Sequence, residues 1–177
     1  MKSRKRNRKK GFDYTSNNIY FVTICCKYRI HYFGQIVNDE MKLNTFGKIV
    51  EEQIMWLENQ YPYLEIHNAM VMPNHVHLLF EINPRNGLRN RTGHDLSLQE
   101  ACADMNIKSV SELMGAFKTT SSKQIHLHGN MDFEWQRSFY DHIVTAPDRY
   151  DSIYNYITNN PARWLNDVLK EYDNLME

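Results

Sequence analysis

Leu64-Glu65-Ile66-His67-Asn68-Ala69-Met70-Val71-Met72-Pro73-Asn74-His75-Val76-His77-Leu78-Leu79-Phe80-Glu81-Ile82 decides the fold. Two runs rich in apolar and β-branched residues flank Pro73-Asn74, a natural turn, and predict adjacent antiparallel strands over Leu64–Met72 and His75–Ile82. Alternate residues of a strand face one side, so His75 and His77 point together, away from Val76, Leu78 and Phe80. Two imidazoles held side by side on a rigid strand form a ready pair of ligands for a divalent cation. Two buried histidines with satisfied hydrogen bonds are the plainer reading of the same residues.

Working outward, Ile19–Cys26 is rich in β-branched and aromatic residues and predicts a first strand. Phe33–Val37 and Met41–Leu43 flank Asn38-Asp39-Glu40 as a short hairpin. From about Asn44, Phe46, Ile49, Val50, Ile54 and Leu57 recur at helical spacing, and Tyr61-Pro62 ends that helix. A second helix starts near Ser109, where Ser109 and Glu112 fit a capping box and Val110, Leu113, Met114 and Phe117 form the buried stripe. Phe133–Val144 reads as a strand, and Pro147–Met176 as helix broken at Pro161. The order predicts an α+β domain with a ferredoxin-like antiparallel sheet and helices packed on one face. Such a fold hosts many functions.

Composition narrows the class. The chain has 177 residues, 42% hydrophobic and 12% aromatic, enough for one domain with its own core. No apolar run approaches membrane-spanning length, and the N-terminus lacks the apolar segment of a secretory signal. Three cysteines, Cys25 and Cys26 adjacent and Cys102 distant, make no paired framework; all three read as structural, and cytoplasmic residence is expected. Net charge is zero, yet seven of the 21 basic residues are Lys2, Arg4, Lys5, Arg6, Arg8, Lys9 and Lys10. The expected organisation is therefore a flexible basic arm over residues 1–12 on one acidic domain over residues 13–177. A solubilising tail has the same composition, but an arm of this charge is suited to nucleic acid. Asn83–Asp95, with Pro84, Gly87, Gly93, Arg85, Arg89 and Arg91, reads as a mobile loop able to contact phosphates.

A second constellation lies late in the chain, in Tyr154-Asn155-Tyr156-Ile157-Thr158-Asn159-Asn160-Pro161. On a helix, Tyr156 and Asn160 share one face. Asn160 offers an amide oxygen to a hard cation, and Tyr156 a phenol able to attack phosphorus and hold it as an ester. The bland alternative has Tyr156 packed in the core and Asn160 capping the helix. Tyr140, beside Asp141 and sharing strand parity with His142, is the rival nucleophile. His126-Leu127-His128 reads as a loop feature, and His67 as a partner behind the metal site or an exposed residue.

At this point the chain resembles a family. Met72-Pro73-Asn74-His75-Val76-His77 is similar to the HUH motif (histidine, hydrophobic, histidine) of single-strand-DNA transposases with one catalytic tyrosine, above all the REP-associated tyrosine transposases. Tyr20-Phe21-Val22-Thr23, Phe33-Gly34, Trp135–His142 and Tyr156-Ile157-Thr158-Asn159-Asn160-Pro161 resemble further blocks of that family, in the same order. The resemblance implies His75 and His77 as metal ligands, Asn160 as the third (where the insertion-sequence branch often has Gln) and Tyr156 as nucleophile. It further implies Mg²⁺ or Mn²⁺, a single-stranded or hairpin DNA partner, a 5′-phosphotyrosine intermediate with a free 3′-hydroxyl, and a monomer or homodimer.

On this reading DNA would be met by the arm, by Arg85, Arg89 and Arg91, and by rings such as Tyr28 and Trp135. Two other classes stay open: a non-catalytic nucleic-acid-binding module on the same fold, and a small metallohydrolase in which Glu81, of the same strand parity, joins His75 and His77.

Overall fold

The computed structural model describes residues 18–84 and 106–166. The elements are β1 (Asn18–Cys25), a 3₁₀ turn (Lys27–Arg29), β2 (Gly34–Val37), β3 (Glu40–Leu43), α1 (Thr45–Gln60), β4 (Leu64–Met72), β5 (His75–Ile82), α2 (Val110–Leu127), β6 (Tyr140–Val144), α3 (Pro147–Thr158) and a 3₁₀ segment (Pro161–Asn166). The main sheet runs β4-β5-β1-β6, each neighbour antiparallel, and β2–β3 form a separate hairpin. Setting that hairpin aside, the chain reads β1-α1-β4-β5-α2-β6, the ferredoxin-like order expected from sequence.

Alternation builds the two faces of the sheet. Tyr20, Val22 and Ile24 of β1 lie opposite Phe80, Leu78 and Val76 of β5, and all six are fully buried. Onto them pack Ile49, Val50, Ile54 and Leu57 of α1 and Val110, Leu113, Met114, Phe117 and Ile125 of α2. Burial of so many large apolar side chains supplies most of the driving force for the fold. Local signals fix the helix starts. Asn44 caps α1 by accepting from Gly47 N at 3.0 Å. Ser109 and Glu112 form the expected capping box at α2.

Helices on one face describes α1 and α2. The third helix lies across the opposite face, where Leu79, Val144 and Ile157 are buried with Ile19, Phe21, Met70, Tyr150, Ile153 and Tyr156 around them. This is the face that His75 and His77 share with Leu79 and Glu81.

Three boundaries differ from the sequence reading. The strand expected over Phe133–Val144 is regular only from Tyr140. Before it, Trp135 bridges Cys26, and the Lys118 ammonium donates to the carbonyls of Gln136, Arg137 and Ser138 at 2.7, 3.3 and 3.4 Å. Carbonyls turned toward one half-buried cation are not available to a neighbouring strand. His126 and Leu127 belong to the last turn of α2, with His128 as its C-cap, rather than to a loop. The C-terminal helix stops at Thr158, and Pro161 opens the 3₁₀ segment.

The two-residue turn Asn38-Asp39, both left-handed (φ 52° and 60°), matches the twist of its strands. At the entry of this hairpin Gly34 has φ 135°, and a Cβ there would sit 2.1 Å from the Lys42 carbonyl. Gly34→Ala is therefore expected to cost about 2 kcal/mol or more, since strain of this kind runs to roughly 1–3 kcal/mol before any clash is added. Urea unfolding should show a lower midpoint with an unchanged slope; a midpoint equal to the native one would show that the hairpin tolerates the side chain.

Candidate active site

The turn between β4 and β5 is tied down from two sides. Cys26 N donates to the Asn74 carbonyl at 2.8 Å, and Phe33 N to the Pro73 carbonyl at 3.0 Å. The fixed turn places Asn74, itself fully buried, where its Oδ1 lies 2.8 Å from His75 Nδ1. Across the β1–β5 ladder Thr23 is the register partner of His77, and its Oγ1 lies 2.9 Å from His77 Nδ1. Both Nδ1 atoms are thus engaged, and the two Nε2 atoms face each other at 3.0 Å.

Hydrogen-bond chemistry sets the tautomers. Asn74 Oδ1 only accepts, so His75 carries its proton on Nδ1 and presents a lone pair at Nε2. His77 then donates from Nε2 to that lone pair, with Nδ1 accepting from the Thr23 hydroxyl. One proton bridges two Nε2 atoms that otherwise confront each other. A divalent cation fits the same position. Two nitrogens each about 2.1 Å from one ion at a right angle would lie about 3.0 Å apart. Oxygens holding the remote nitrogens are what orient histidine ligands in metal sites.

Both imidazoles are buried, at no more than 1% exposure. Burial pushes the His75 pKa well below its ordinary value, with the charges of His77, Arg29 and His31 adding to the effect. Burial, then the Arg29 charge, lowers His77 to about 3. Both rings are therefore neutral at physiological pH, the state in which imidazole binds a metal.

The helix α3 brings the second half of the site. Asn68, beside the bulge in β4, donates from its Nδ2 to the Tyr154 carbonyl (3.1 Å) and to Thr158 Oγ1 (2.9 Å). That clamp sets α3 on the sheet. The Tyr156 ring meets His77 edge-on at 5.3 Å and Phe21 at 6.1 Å. Trp164, on the following 3₁₀ segment, stacks on His75 at 6.0 Å and 26°. Along the chain between Tyr156 and Trp164 comes Asn160, buried, with an Oδ1 that has no hydrogen-bond partner. An orphaned buried oxygen costs stability unless something occupies it, and a hard cation is the occupant its chemistry suits.

The structure thus brings Tyr156 to His77 and Trp164 to His75, with Asn160 buried on the stretch of chain between those two rings. Tyr140 shares the face, as the register partner of Thr23, but stands on the edge strand with 53% exposure. Its neighbour His142 pairs with Arg149 at 3.2 Å. Glu81 has the right parity yet lies at the far end of β5, 3.6 Å from His67. With Glu65 these two form a separate group whose ligand atoms lie within 4.8 Å of one another. Among the described residues no His, Cys, Asp or Glu joins His75 and His77 as a third ligand.

Trp135 is no platform for bases: it is 8% exposed, packed on Phe33, Phe117 and Phe133, and donates to Ser121 Oγ at 3.0 Å. Tyr28 is exposed at 64%. Lys2, Arg4, Lys5, Arg6, Arg8, Lys9, Lys10, Arg85, Arg89, Arg91 and Cys102 lie outside the described residues. Cys25 and Cys26 are buried and form no disulfide among the described residues. No described helix is long and apolar enough to cross a membrane.

Sequence reasoning missed Thr23, Asn68, Asn74 and Trp164. Trp164 stands four residues after Asn160, a helical spacing that was there to be read, and Asn74 adjoins the motif. Thr23 needed the register of β1 on β5.

The histidines also make stability fall in acid. Their folded pKa values lie below those of the unfolded chain, so as pH drops through about 6.5 the unfolded state takes up protons first. From pH 6.5 to 5, His77 alone should remove about 2 kcal/mol of the metal-free protein's stability. Urea midpoints at the two pH values, native against His77→Gln, test this; equal pH slopes for the two proteins would refute it.

No family model matches the chain. It is 33% identical over 170 residues to an uncharacterized protein of Haemophilus influenzae (strain ATCC 51907 / DSM 11121 / KW20 / Rd), spanning 94% of this chain and 92% of that protein. Among solved structures it is similar to a REP-associated tyrosine transposase bound to a REP hairpin, with TM-score 0.57 and 18% identity over 88% of this chain and 73% of the other. The chain therefore belongs to one family with the Haemophilus influenzae protein, built on the α+β fold of the REP-associated tyrosine transposase.

Proposed function

We propose that this protein is a metal-dependent transposase-type enzyme that nicks single-stranded DNA near a hairpin and rejoins strands through a tyrosine. The observation that carries this reading is the pair of buried Nε2 atoms 3.0 Å apart with the Tyr156 ring against His77. A mere structural histidine pair would need no tyrosine beside it. A binding module would need neither. The fold shared with a hairpin-bound transposase supports the substrate class.

His75, His77 and Asn160 would hold Mg²⁺ or Mn²⁺, which supplies charge stabilisation at the phosphate's non-bridging oxygens. Three neutral ligands leave the phosphate as the anionic partner of that charge. Asn74 and Thr23 keep both imidazoles aimed: Asn74 holds His75 with its lone pair at Nε2, and with an ion bound the Thr23 hydroxyl oxygen would accept the His77 proton at Nδ1 and free the second Nε2. Tyr156 Oη forms a bond to phosphorus as the bond from phosphorus to the 3′-oxygen breaks. The phenolic proton passes to water, and the departing 3′-oxygen takes up a proton to become a hydroxyl. The phosphotyrosine conserves the ester, so a second 3′-hydroxyl reverses the exchange and rejoins DNA without ATP. The basic arm and Arg85, Arg89 and Arg91 would follow the DNA backbone.

Labelled single-stranded DNA carrying a hairpin, incubated with Mn²⁺, is expected to yield a denaturation-resistant adduct that Tyr156→Phe abolishes. Survival of the adduct in Tyr156→Phe but not in Tyr140→Phe would move the nucleophile to Tyr140. Free hydrolysis products with no adduct would favour a metallohydrolase, and binding without cleavage a module.

The two metal-capable groups are separable as well. Asn74→Ala should weaken Mn²⁺ binding about 10–100-fold through the untethered His75 ring, whereas His67→Ala should leave it within a factor of about two. Calorimetry that gave the reverse ranking would place the ion at Glu65, His67 and Glu81.

A further inference from the structure

Arg29 is buried, at 6% exposure, yet no carboxylate pairs with it among the described residues. Its side-chain hydrogen bond runs from Nη1 to the sulfur of Cys25. Cys25 is the register partner of His75, as Thr23 is of His77, so these side chains share one face of the sheet. The guanidinium therefore lies on the site face, beside the strand end that carries His75. Its charge reaches both imidazoles, adding to burial in lowering them. The backbone is bent to put it there: Tyr28 and Arg29 are consecutive left-handed residues, φ 57° and 58°, neither of them glycine. Strain of that kind persists where surroundings enforce it, and it clusters at functional sites.

A buried cation without an acid is expensive, and an apolar side chain of the same bulk would pack here more cheaply. Beside a site meant to take a divalent cation, it is also repulsive. Both costs vanish when a phosphodiester enters, because the guanidinium fork matches two phosphate oxygens. We propose that Arg29 grips the scissile phosphate opposite the metal, and that phosphate and metal consequently bind as a cooperative pair. This rests on the nicking reading, and it adds a phosphate-binding residue and an order of assembly: ion and DNA together rather than ion first.

The proposal predicts effects of opposite sign. In Arg29→Gln, and in Arg29→Gly, which suits the left-handed backbone, single-turnover nicking should fall about 10²–10³-fold, the usual loss on removing one donor to a developing oxyanion. The same variants should bind Mn²⁺ more tightly than native in the absence of DNA, because a like charge is gone. Free guanidinium should restore part of the nicking by Arg29→Gly. Nicking within threefold of native would overturn the proposal. So would a joint loss of nicking and Mn²⁺ affinity, which marks a structural residue. Tungstate soaked into crystals of the native protein separates this from the function itself. Density on the Arg29 guanidinium in a protein that nicks no DNA would keep the anion site and discard the transposase reading, and its absence would discard the site.

Discussion

The pairing of β5 with β1 in a single register carries the rest of the molecule. Tyr20, Val22 and Ile24 face Phe80, Leu78 and Val76 on one side of the ladder. Thr23 and Cys25 face His77 and His75 on the other. A slip of one residue would turn every side chain over, exposing three large apolar groups and driving two imidazoles into the core beneath α1 and α2. Each apolar side chain is worth about 1.5–3 kcal/mol when buried, so three exposed together cost about 5–9 kcal/mol, a loss comparable to a domain's whole net stability. The hydrophobic core, by insisting on its own parity, aims the histidines.

That coupling explains why the sheet and the ligand pair were legible together in the sequence. Period-two alternation in Leu64–Ile82 predicted both strands to the residue, and the same alternation said that His75 and His77 point together. The capping signals at Asn44 and Ser109 are local chemistry and were equally readable. What was not legible depends on distance along the chain. The irregular path of Phe133–Phe139 is dictated by Lys118, fifteen or more residues earlier, and nothing in its own composition announces that. Trp135 looks like an exposed stacking ring in sequence, but Phe33, Phe117 and Ser121 from three other elements enclose it. Nothing in the sequence around Arg29 marks it; the left-handed turn at Tyr28 and Arg29 and the hydrogen bond to Cys25 are what set it on the site face.

Electrostatics ties these features to the chemistry. The site is buried, so every charge within it is felt strongly. The protein lines it with neutral donors: two imidazoles held neutral by burial and an amide oxygen with no partner. A carboxylate in their place would hold a cation more tightly and would repel the phosphate. The only full charge the described chain brings near is positive. Such a pocket is poorly made for a permanently bound ion and well made for one that arrives with a polyanion. The second group, Glu65, His67 and Glu81, has the opposite character, with two carboxylates paired across β4 and β5 at the far end of the same face.

The proposed nucleophile, Tyr156, stands on the smaller of the two apolar clusters. The core under α1 and α2 joins buried side chains from both helices and three strands, whereas α3 rests on Leu79, Val144 and a margin of half-buried residues. Its polar anchor is the Asn68 clamp at Tyr154 and Thr158, two residues on either side of Tyr156. Elements with few buried contacts open at lower free energy than the core they lie on. Among the described residues, the proposed ligand pair thus stands on strands of the larger core and the tyrosine on a helix of the smaller cluster. Under the proposed function, strand exchange asks for that division: the phosphate would stay where its charge is stabilised, while the residue carrying the DNA end would yield its place to an incoming 3′-hydroxyl. A helix clamped at two points on a thin apolar layer lets Tyr156 shift without disturbing the register that holds His75 and His77.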